Sequence, residues 1–333
     1  MSDWMKSIRK GTDRPVAEDV LILGPHGTGK STFGRGAPAP IVICTDSHEA
    51  ADVPADVPNI TPTCWDDPDG EPYDPSNPSL LGFLRNLSKE EHPYKSVVID
   101  TLTSAQTLCA AHVCAKHDVA IVGDIPWNKG SEHLANAWRP LIALLEEIHK
   151  KGIHTIRIAH VEVKRHKNPE GADWDQFVAQ LDPGLAKLSA QSASNVLFAL
   201  PELHAVKIGA KKENNEKTVG AGNGKFVLRT TYSATVAAKE RLFLPDEMDV
   251  SAAAFMMAAQ EGRSIRTRLD RALRAMGLKN QAAAEKYLSD ARYSREAAIT
   301  IITNFEKAKN GSTSASSTTA KTDTNSTKEN TAS

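Results

Sequence analysis

Positions 24–31 of the sequence read Gly24-Pro25-His26-Gly27-Thr28-Gly29-Lys30-Ser31, directly after the apolar run Val20-Leu21-Ile22-Leu23. The spacing matches the pattern G-x-x-x-x-G-K-[ST] of a phosphate-binding loop, which requires a strand before it and a helix after it. The glycines let backbone N–H groups approach phosphate oxygens, and the following helix N-terminus favours negative charge. We predict that these residues, together with Thr32, bind ATP, with Lys30 at the β- and γ-phosphates and Ser31 as a ligand of Mg²⁺.

The apolar runs that follow the loop indicate the fold class. They are Ile41-Val42-Ile43 and Val97-Val98-Ile99, with helical patterns between the runs. Apolar strands that alternate with helices are typical of an α/β fold with a mostly parallel central sheet covered by helices on both faces. Further strands are predicted at 155–159 and 196–200, and residues 203–208 and 226–230 are predicted to extend the sheet as an antiparallel hairpin.

The remaining core segments are expected to be helices or loops. Helices are predicted at 80–87, 104–117, 132–151 and 185–192, and Pro140 is expected to kink the third of these or to mark its true start. Residues 52–79 are crowded with proline, aspartate and glycine, which predicts a surface excursion without regular structure. Residues 162–180 are predicted to form a polar loop.

The chain is expected to have one main domain and a small helical appendage. Residues 1–14 are an N-terminal segment, and residues 15–250 form the core. Residues 251–309 are expected to be helical, with helices at 251–259, 263–276, 281–289 and 295–307. Residues 310–333 contain no apolar residue larger than alanine, so this Ser/Thr-rich tail is predicted to be disordered.

Composition narrows the class of protein. Lysine and arginine total 40 and aspartate and glutamate total 41, so the net charge indicates neither a nucleic-acid nor a membrane partner. The four cysteines are too few for a secreted disulfide scaffold. No run approaches the ~20 apolar residues that a membrane span requires. We expect a soluble intracellular protein that resides in the cytoplasm.

Asp100 ends the apolar run 97–99 in the manner of a Walker B element, whose carboxylate orients the metal ion. An aspartate at a strand end is also a common helix cap, and Thr101, Thr103 and Ser104 can cap the next helix equally well. Because the run lies downstream of a phosphate-binding loop, we predict that Asp100 is the second Mg²⁺ ligand.

Hydrolysis of ATP also requires a group that orients the attacking water. Asp46 and Glu49, just after the second strand, are the candidates, and the alternative is that they are ordinary surface acids. His160 ends the fourth strand, where it either senses the γ-phosphate through a hydrogen bond or is a structural histidine.

Five segments in this order carry a family resemblance: GPHGTGKST, ICTDSHEA, VVIDTLTS, IAHVEVKRHKNPEG and AAKERLFLPDEMDV. Over residues 15–255 the chain resembles the phage nucleotide-binding ATPases with a RecA-like core, and most of all the phage single-strand annealing ATPases among them. The most specific parts are the strand end at residues 160–165 and the pair Lys239 and Arg241 shortly before residues 244–247.

This resemblance implies roles for several residues. Asp46 takes the place of the acid that activates water, and His160 that of a glutamine that couples the γ-phosphate to DNA. Residues 162–180 and 123–131 fall where RecA-like proteins carry DNA-binding loops. The DNA-binding candidates are Trp127, Lys129, Lys164, Arg165 and Lys167. Charge and aromatic character suit single-stranded DNA, although a solvated loop is the alternative for the basic run.

The resemblance also implies partners. Lys239 and Arg241 are candidates to reach the γ-phosphate of a neighbouring subunit in a homo-oligomeric ring or filament, and a surface salt bridge with Glu240 or Asp246 is the alternative. The resemblance does not cover residues 256–333, and only the disorder and length of the tail make it a candidate to recruit a single-strand-binding protein.

Three functions are therefore open. The first is an ATPase that binds single-stranded DNA and promotes annealing and recombination, encoded by a phage and acting in the host cytoplasm. The second is a small-molecule kinase such as a nucleotide kinase, although no compact arginine-rich lid is present between the two Walker elements. The third is a nucleotide-gated interaction module with little turnover.

Overall fold

The computed structural model describes residues 17–68, 71–208, 217–275 and 294–316. Most of its strands belong to one eight-stranded sheet, and two more form a separate ribbon. In chain order the strands are β1 (Asp19–Leu23), β2 (Pro40–Cys44), β3 (Asn59–Ile60), β4 (Ser96–Asp100), β5 (His154–Ala159), β6 (Val161–His166), β7 (Trp174–Ala179), β8 (Asn195–Ile208), β9 (Lys217–Arg229) and β10 (Glu247–Asp249).

The strand order of the main sheet is β10-β9-β8-β1-β5-β4-β2-β3. All pairs from β8 to β3 are parallel, and β8–β9 and β9–β10 are antiparallel. Strands β1 and β4 are buried along their whole length, as parallel strands covered on both faces must be. The predicted α/β class, with its mostly parallel sheet and antiparallel hairpin, is confirmed.

Eight α-helices and two short 3-10 helices, Val122–Asp124 and Pro126–Asn128, accompany the strands in the described residues. The α-helices are α1 (Lys30–Arg35), α2 (Ser47–Ala51), α3 (Leu80–Lys89), α4 (Leu102–His117), α5 (Gly130–Lys150), α6 (Pro183–Ser192), α7 (Ala252–Ala275) and α8 (Arg295–Ser316). Helix α3 is capped by the Ser79 hydroxyl and α4 by the Thr101 hydroxyl, each of which accepts a hydrogen bond from an N–H of the first turn. Within the part of the chain that is described, no helix combines the length and apolarity needed to cross a bilayer.

Helix α5 differs from its prediction at Pro140. The helix begins ten residues before Pro140, at Gly130, so Pro140 does not mark its start. Pro140 is exposed, whereas Leu134, Trp138 and Leu141 beside it are buried in the core. The burial of these apolar side chains offsets the hydrogen bond that proline removes.

The excursion at 52–79 is tied to the core, contrary to the prediction. Trp65 is buried, its ring stacks on that of Trp138 with 5.2 Å between centroids, and its indole N–H donates to the carbonyl of Ala137. The excursion also supplies β3, a short strand parallel to β2. The prediction missed this contact because it was based on the proline-rich composition of the segment, in which a single tryptophan has little weight.

The predicted polar loop at 162–180 is instead an antiparallel hairpin, β6–β7, with His166 opposite Trp174. Strand β7 is also bound to residues 234–236, because the N–H of Phe177 donates to the carbonyl of Thr235 and the Trp174 indole donates to the carbonyl of Ala234. The prediction of a loop was wrong because both faces of this ribbon carry polar residues, so the apolar alternation that marks a strand is weak.

The chain divides into two compact units, residues 1–241 with 245–258, and residues 242–244 with 259–333. In the second unit, Phe243, Ile265, Leu269, Leu273, Ala298 and Ile302 form an apolar cluster. The helices predicted at 251–259 and 263–276 are one continuous helix, α7, because the buried face recurs at helical spacing on both sides of Gly262.

Helix α8 extends to Ser316, beyond the helix end predicted at residue 307. A helix that is already formed propagates at little cost, which composition alone does not register. The predicted N-terminal segment 1–14, the helix at 281–289 and the remainder of the tail, 317–333, lie outside the described residues.

Candidate functional site

The phosphate-binding loop connects β1 to α1 at the carboxyl end of the sheet. A Cβ atom at Gly24 would lie 2.2 Å from the carbonyl oxygen of Ala199 on β8, so only glycine fits there. Gly29, the residue before α1, has a φ of 83°, in the left-handed region that glycine adopts without strain. Both positions therefore require the residue type that the motif prescribes.

Lys30 is buried, and its ammonium group donates to the carbonyl of Pro25 inside the loop. The Thr28 hydroxyl donates to the same carbonyl over 2.9 Å. The lysine is thus held by the loop that it follows, with its charge at the place where the motif puts phosphate oxygens. Ser31 and Thr32 follow it in the first turn of α1.

Asp100 is fully buried at the carboxyl end of β4. It is not the cap of α4, because the Thr101 hydroxyl accepts the hydrogen bond from the N–H of Ser104. The turn is clamped by Thr45 at the end of β2. The Thr45 hydroxyl accepts from the N–H of Thr101 over 2.9 Å and donates to its carbonyl over 2.6 Å. The structure thus assigns the capping role, which the sequence left open, to Thr101 and not to Asp100.

His160 follows β5, and β5 lies between β1 and β4. The residue is 8% exposed, and its ring stacks on that of His26 in the phosphate loop, with 3.6 Å between centroids. Its backbone N–H donates to the Thr103 hydroxyl on α4 over 3.0 Å. Among the described residues, Nδ1 of His160 has no hydrogen-bond partner. His160 therefore contacts the phosphate loop through its ring and α4 through its backbone, and the next residue begins β6.

The environment of His160 keeps it neutral. Burial, together with the charges of Lys30 and His26, lowers its pKa from 6.5 to about 4. A neutral imidazole can accept one hydrogen bond and donate another. Such a group can respond to a phosphate oxygen without adding a charge of its own.

A stability measurement can check this environment. Between pH 6.5 and about 4 the unfolded chain protonates this imidazole and the folded chain does not, so the contribution of His160 to stability is present above pH 6.5 and is lost as the pH falls towards 4. We expect the free energy of unfolding in urea to fall less steeply across this range in His160→Gln than in wild type. The matching change at the exposed His48 is the control, and equal slopes in wild type and His160→Gln would contradict the expectation.

Asp46 directly precedes α2 at the same edge of the sheet, next to Thr45. One of its carboxylate oxygens accepts from the N–H of His48 over 2.8 Å, so part of its hydrogen-bonding capacity is used locally. The structure brings Asp46 to the edge that holds Asp100, one strand further from the phosphate loop. Glu49 lies in α2, and its side chain is outside the described part of the chain.

The DNA-binding candidates lie on two segments. Trp127 and Lys129 are exposed just before α5, and Trp127 is 89% exposed. On the hairpin, Lys164 is 2.8 Å from Glu162 and Arg165 is 3.4 Å from Asp175, so these two cations are partly neutralised. Lys167 is exposed just after β6. The predicted basic run is therefore less available to a nucleic acid than its sequence indicates.

Lys239 lies at the C-terminal end of α6. Its ammonium group donates to the carbonyls of Ala190, Gln191 and Ala193 at the C-terminal end of α6, the shortest of these contacts being 2.6 Å. This is helix capping by a cation. Arg241 is exposed, and its backbone N–H donates to the side chain of Asn195 at the start of β8.

Sequence reasoning missed several residues of the site. Thr45 and Thr103 hold the turn and the histidine, and Val250 contacts the loop, since its Cγ1 would lie 3.5 Å from a Cβ at Gly29. Thr45 could have been found from the sequence, because it follows an apolar run and precedes Asp46. Val250 had no signal, because its contact spans more than 200 residues of sequence.

The residues present fit a magnesium–nucleotide complex. Gly24 and Gly29 leave a cradle that a side chain would fill, Lys30 provides a buried cation, and Ser31 and Asp100 are hard oxygen donors of the kind that Mg²⁺ prefers. Within the described residues no cluster of three or more histidine, cysteine or acidic side chains could hold a metal ion on its own. Mg²⁺ bound with a nucleotide takes one or two protein ligands and completes its shell with phosphate and water.

Comparison with known proteins agrees with this geometry. The family described as AAA domain matches residues 17–242. No curated protein matches the chain. Among solved structures, a KaiC-like protein from the hyperthermophilic archaeon Pyrococcus horikoshii OT3 is 15% identical, with a TM-score of 0.29, over 62% of this chain and 84% of that one. The loop, the buried aspartate and the family match agree, and the chain belongs to the AAA domain family, with a nucleotide-binding P-loop ATPase domain as its core.

Proposed function

We propose that this protein hydrolyses ATP, binds single-stranded DNA and promotes annealing in homologous recombination, as a phage-encoded protein that assembles into a ring or filament. The observation that carries the proposal is the course of the chain after β5. His160 stacks on the phosphate loop, and the next residue begins the β6–β7 hairpin. His160, which is placed to respond to the γ-phosphate, is therefore followed directly by an exposed hairpin.

Two tryptophans, the exposed Trp127 and the half-buried Trp174, support a single-stranded ligand. Trp127 has a φ of 63°, in the left-handed region, which costs an ordinary residue about 1–2 kcal/mol. Its 89% exposure means that burial of its ring does not offset that cost. The Trp174 ring packs on His166 with 4.6 Å between centroids, beside the exposed Lys167. Aromatic rings stack on unpaired bases and cations neutralise phosphates, which is the combination that single-stranded DNA requires.

Each residue of the nucleotide site has a place in the proposed hydrolysis. Lys30 stabilises charge on the β- and γ-phosphates, and Ser31 and Asp100 hold Mg²⁺, which when bound neutralises phosphate charge. Asp46 orients the attacking water with the oxygen that does not accept from His48. Because Asp46 is already engaged on one side, we expect slow turnover in the absence of DNA.

Assembly completes the proposal. The backbone N–H of Arg241 is bound at Asn195, which pairs with Val20 near the amino end of β1. The phosphate loop follows the other end of that strand. Such a position suits contact with a neighbouring subunit rather than with the phosphate loop of the same chain, which is why Arg241 remains the candidate for a shared ATP site. A single-strand-binding protein is the proposed partner of the tail.

Substitutions in the two exposed segments test DNA binding. We expect Trp127→Ala to weaken binding to a long single-stranded DNA by about 5- to 150-fold, because stacking contributes about 1–3 kcal/mol per base. We expect Lys167→Ala to lower the slope of log Kd against log salt by about 0.7, the value for one phosphate contact on a single strand. Fluorescence anisotropy over a series of salt concentrations measures both.

The control is Ile121→Ala, which removes an exposed apolar side chain from the same connection without removing an aromatic ring. Equal weakening by Ile121→Ala and Trp127→Ala would contradict stacking, and binding that does not respond to salt would contradict the phosphate contacts. Turnover that needs a small acceptor would favour the nucleotide kinase. Turnover near background with ATP-dependent assembly would favour the interaction module.

A further inference from the structure

Asp182, between the hairpin and α6, makes hydrogen bonds to three segments of the core. Its Oδ1 accepts from the N–H of Gly184 over 2.8 Å, which caps α6. Its Oδ2 accepts from the Ser131 hydroxyl over 2.9 Å, and its backbone N–H donates to Oε1 of Gln106 over 2.6 Å. Capping requires only the first of these bonds. The other two connect elements that are distant in sequence.

The segments that meet at Asp182 are those used by the proposed function. Gln106 lies on α4, the helix that begins just after the Walker B aspartate. Ser131 lies in the first turn of α5, directly after the exposed segment 126–129. At the end of the hairpin, the N–H of Gln180 donates to the carbonyl of His160 over 2.8 Å. Both candidate DNA segments are therefore tied to the nucleotide site close to one carboxylate.

We propose that Asp182 is a positioning residue that holds segment 126–129 and the β6–β7 hairpin in one arrangement relative to α4, so that both respond together when nucleotide binds. The bond of 2.9 Å from the Ser131 hydroxyl to the Asp182 carboxylate joins residues that are 51 positions apart in sequence. A displacement at the end of the hairpin therefore moves the start of α5 as well. Of the two measurements described next, only the stimulation of ATP hydrolysis by DNA rests on the proposed function.

Two variants remove the same bond from opposite sides. Ser131→Ala deletes the donor, and Asp182→Ser keeps a residue that caps α6 but is too short to reach residue 131. Ser131→Thr retains the hydroxyl and is the conservative variant. Amide hydrogen exchange of residues 119–131 and 161–181 is measured on the full chain, with and without a non-hydrolysable ATP analogue. The ratio of DNA-stimulated to basal ATP hydrolysis is measured in parallel.

In wild type and Ser131→Thr we expect the analogue to slow exchange in both segments. In Ser131→Ala and Asp182→Ser we expect residues 119–131 to exchange about 3- to 10-fold faster and to lose the response, while residues 161–181 keep it. We expect the stimulation ratio to fall by a similar factor. The double variant should be no worse than either single variant, because both remove one interaction.

Two results would overturn the proposal: exchange in Ser131→Ala that matches wild type in both states, or a wild-type protein in which the analogue alters neither segment. A wild type that is not stimulated by DNA would instead remove the proposed function. The exchange measurement would still decide whether Asp182 couples the two segments.

Discussion

Replacing Lys30 with alanine is expected to lower ATP hydrolysis by about 10²- to 10³-fold, with and without single-stranded DNA. Removing one preorganised donor from a phosphoryl or acyl transition state has effects of this size. Lys30 is buried within the loop, so its charge acts where water does not screen it well. Neither Thr28, a neutral hydroxyl, nor His160, a neutral imidazole, can replace the missing charge.

The control for Lys30→Ala is Lys187→Ala, which removes an exposed lysine from α6. Hydrolysis is measured at low and high salt, and thermal unfolding shows whether each variant is folded. A folded Lys30→Ala protein that keeps more than about a tenth of wild-type turnover would contradict the assignment. If DNA stimulates hydrolysis in wild type and this stimulation disappears in Lys30→Ala, the result would support the proposed DNA-stimulated ATPase.

The second large effect is expected at the other end of the sheet, where Asp19 and Arg157 form a buried ion pair. The two side chains are 7% and 1% exposed as residues. Asp19 accepts from Arg157, from the Thr155 hydroxyl over 2.7 Å and from the N–H of Ser194 over 3.0 Å. Arg157 also donates to the Ser192 hydroxyl over 2.7 Å. The pair thus joins β1, β5 and the end of α6.

We expect Asp19→Ala to lower the free energy of unfolding by about 3–5 kcal/mol, because it leaves a buried guanidinium without its counter-charge. We expect the double change to leucine at both positions to be less destabilising than Asp19→Ala, since it removes both charges. Urea denaturation measures each variant. The control is Arg165→Ala, which breaks an exposed pair and should change stability by less than about 1 kcal/mol. A loss of less than about 1 kcal/mol in Asp19→Ala would show that the guanidinium finds other partners.

Several elements of the fold could be predicted because the information about them is local. Apolar runs predicted β1, β2, β4 and β5, since buried parallel strands record their burial in consecutive residues. Helices α3 and α6 followed from periodicity. The hairpin β6–β7 escaped prediction because its stability comes from pairing with residues 234–236 as much as from its own pattern. The burial of Trp65 was not predicted because one aromatic residue hardly changes the composition of a 28-residue stretch.

For the same reason, only some residues of the candidate site could be predicted from the sequence. Residue types and spacing alone indicate the phosphate loop, its lysine and serine, and a carboxylate after an apolar run, because glycine conformation and phosphate chemistry restrict those positions strongly. Folding decided that β5 lies between β1 and β4, that His160 therefore meets His26, and that Thr101 caps α4 while Asp100 does not. Folding also placed the ammonium group of Lys239 at the end of α6 and the carboxylate of Asp182 within hydrogen-bond distance of Ser131. These outcomes depend on which distant segments become neighbours, and strand order is set by the packing of the whole sheet rather than by the residues on either side of a bond.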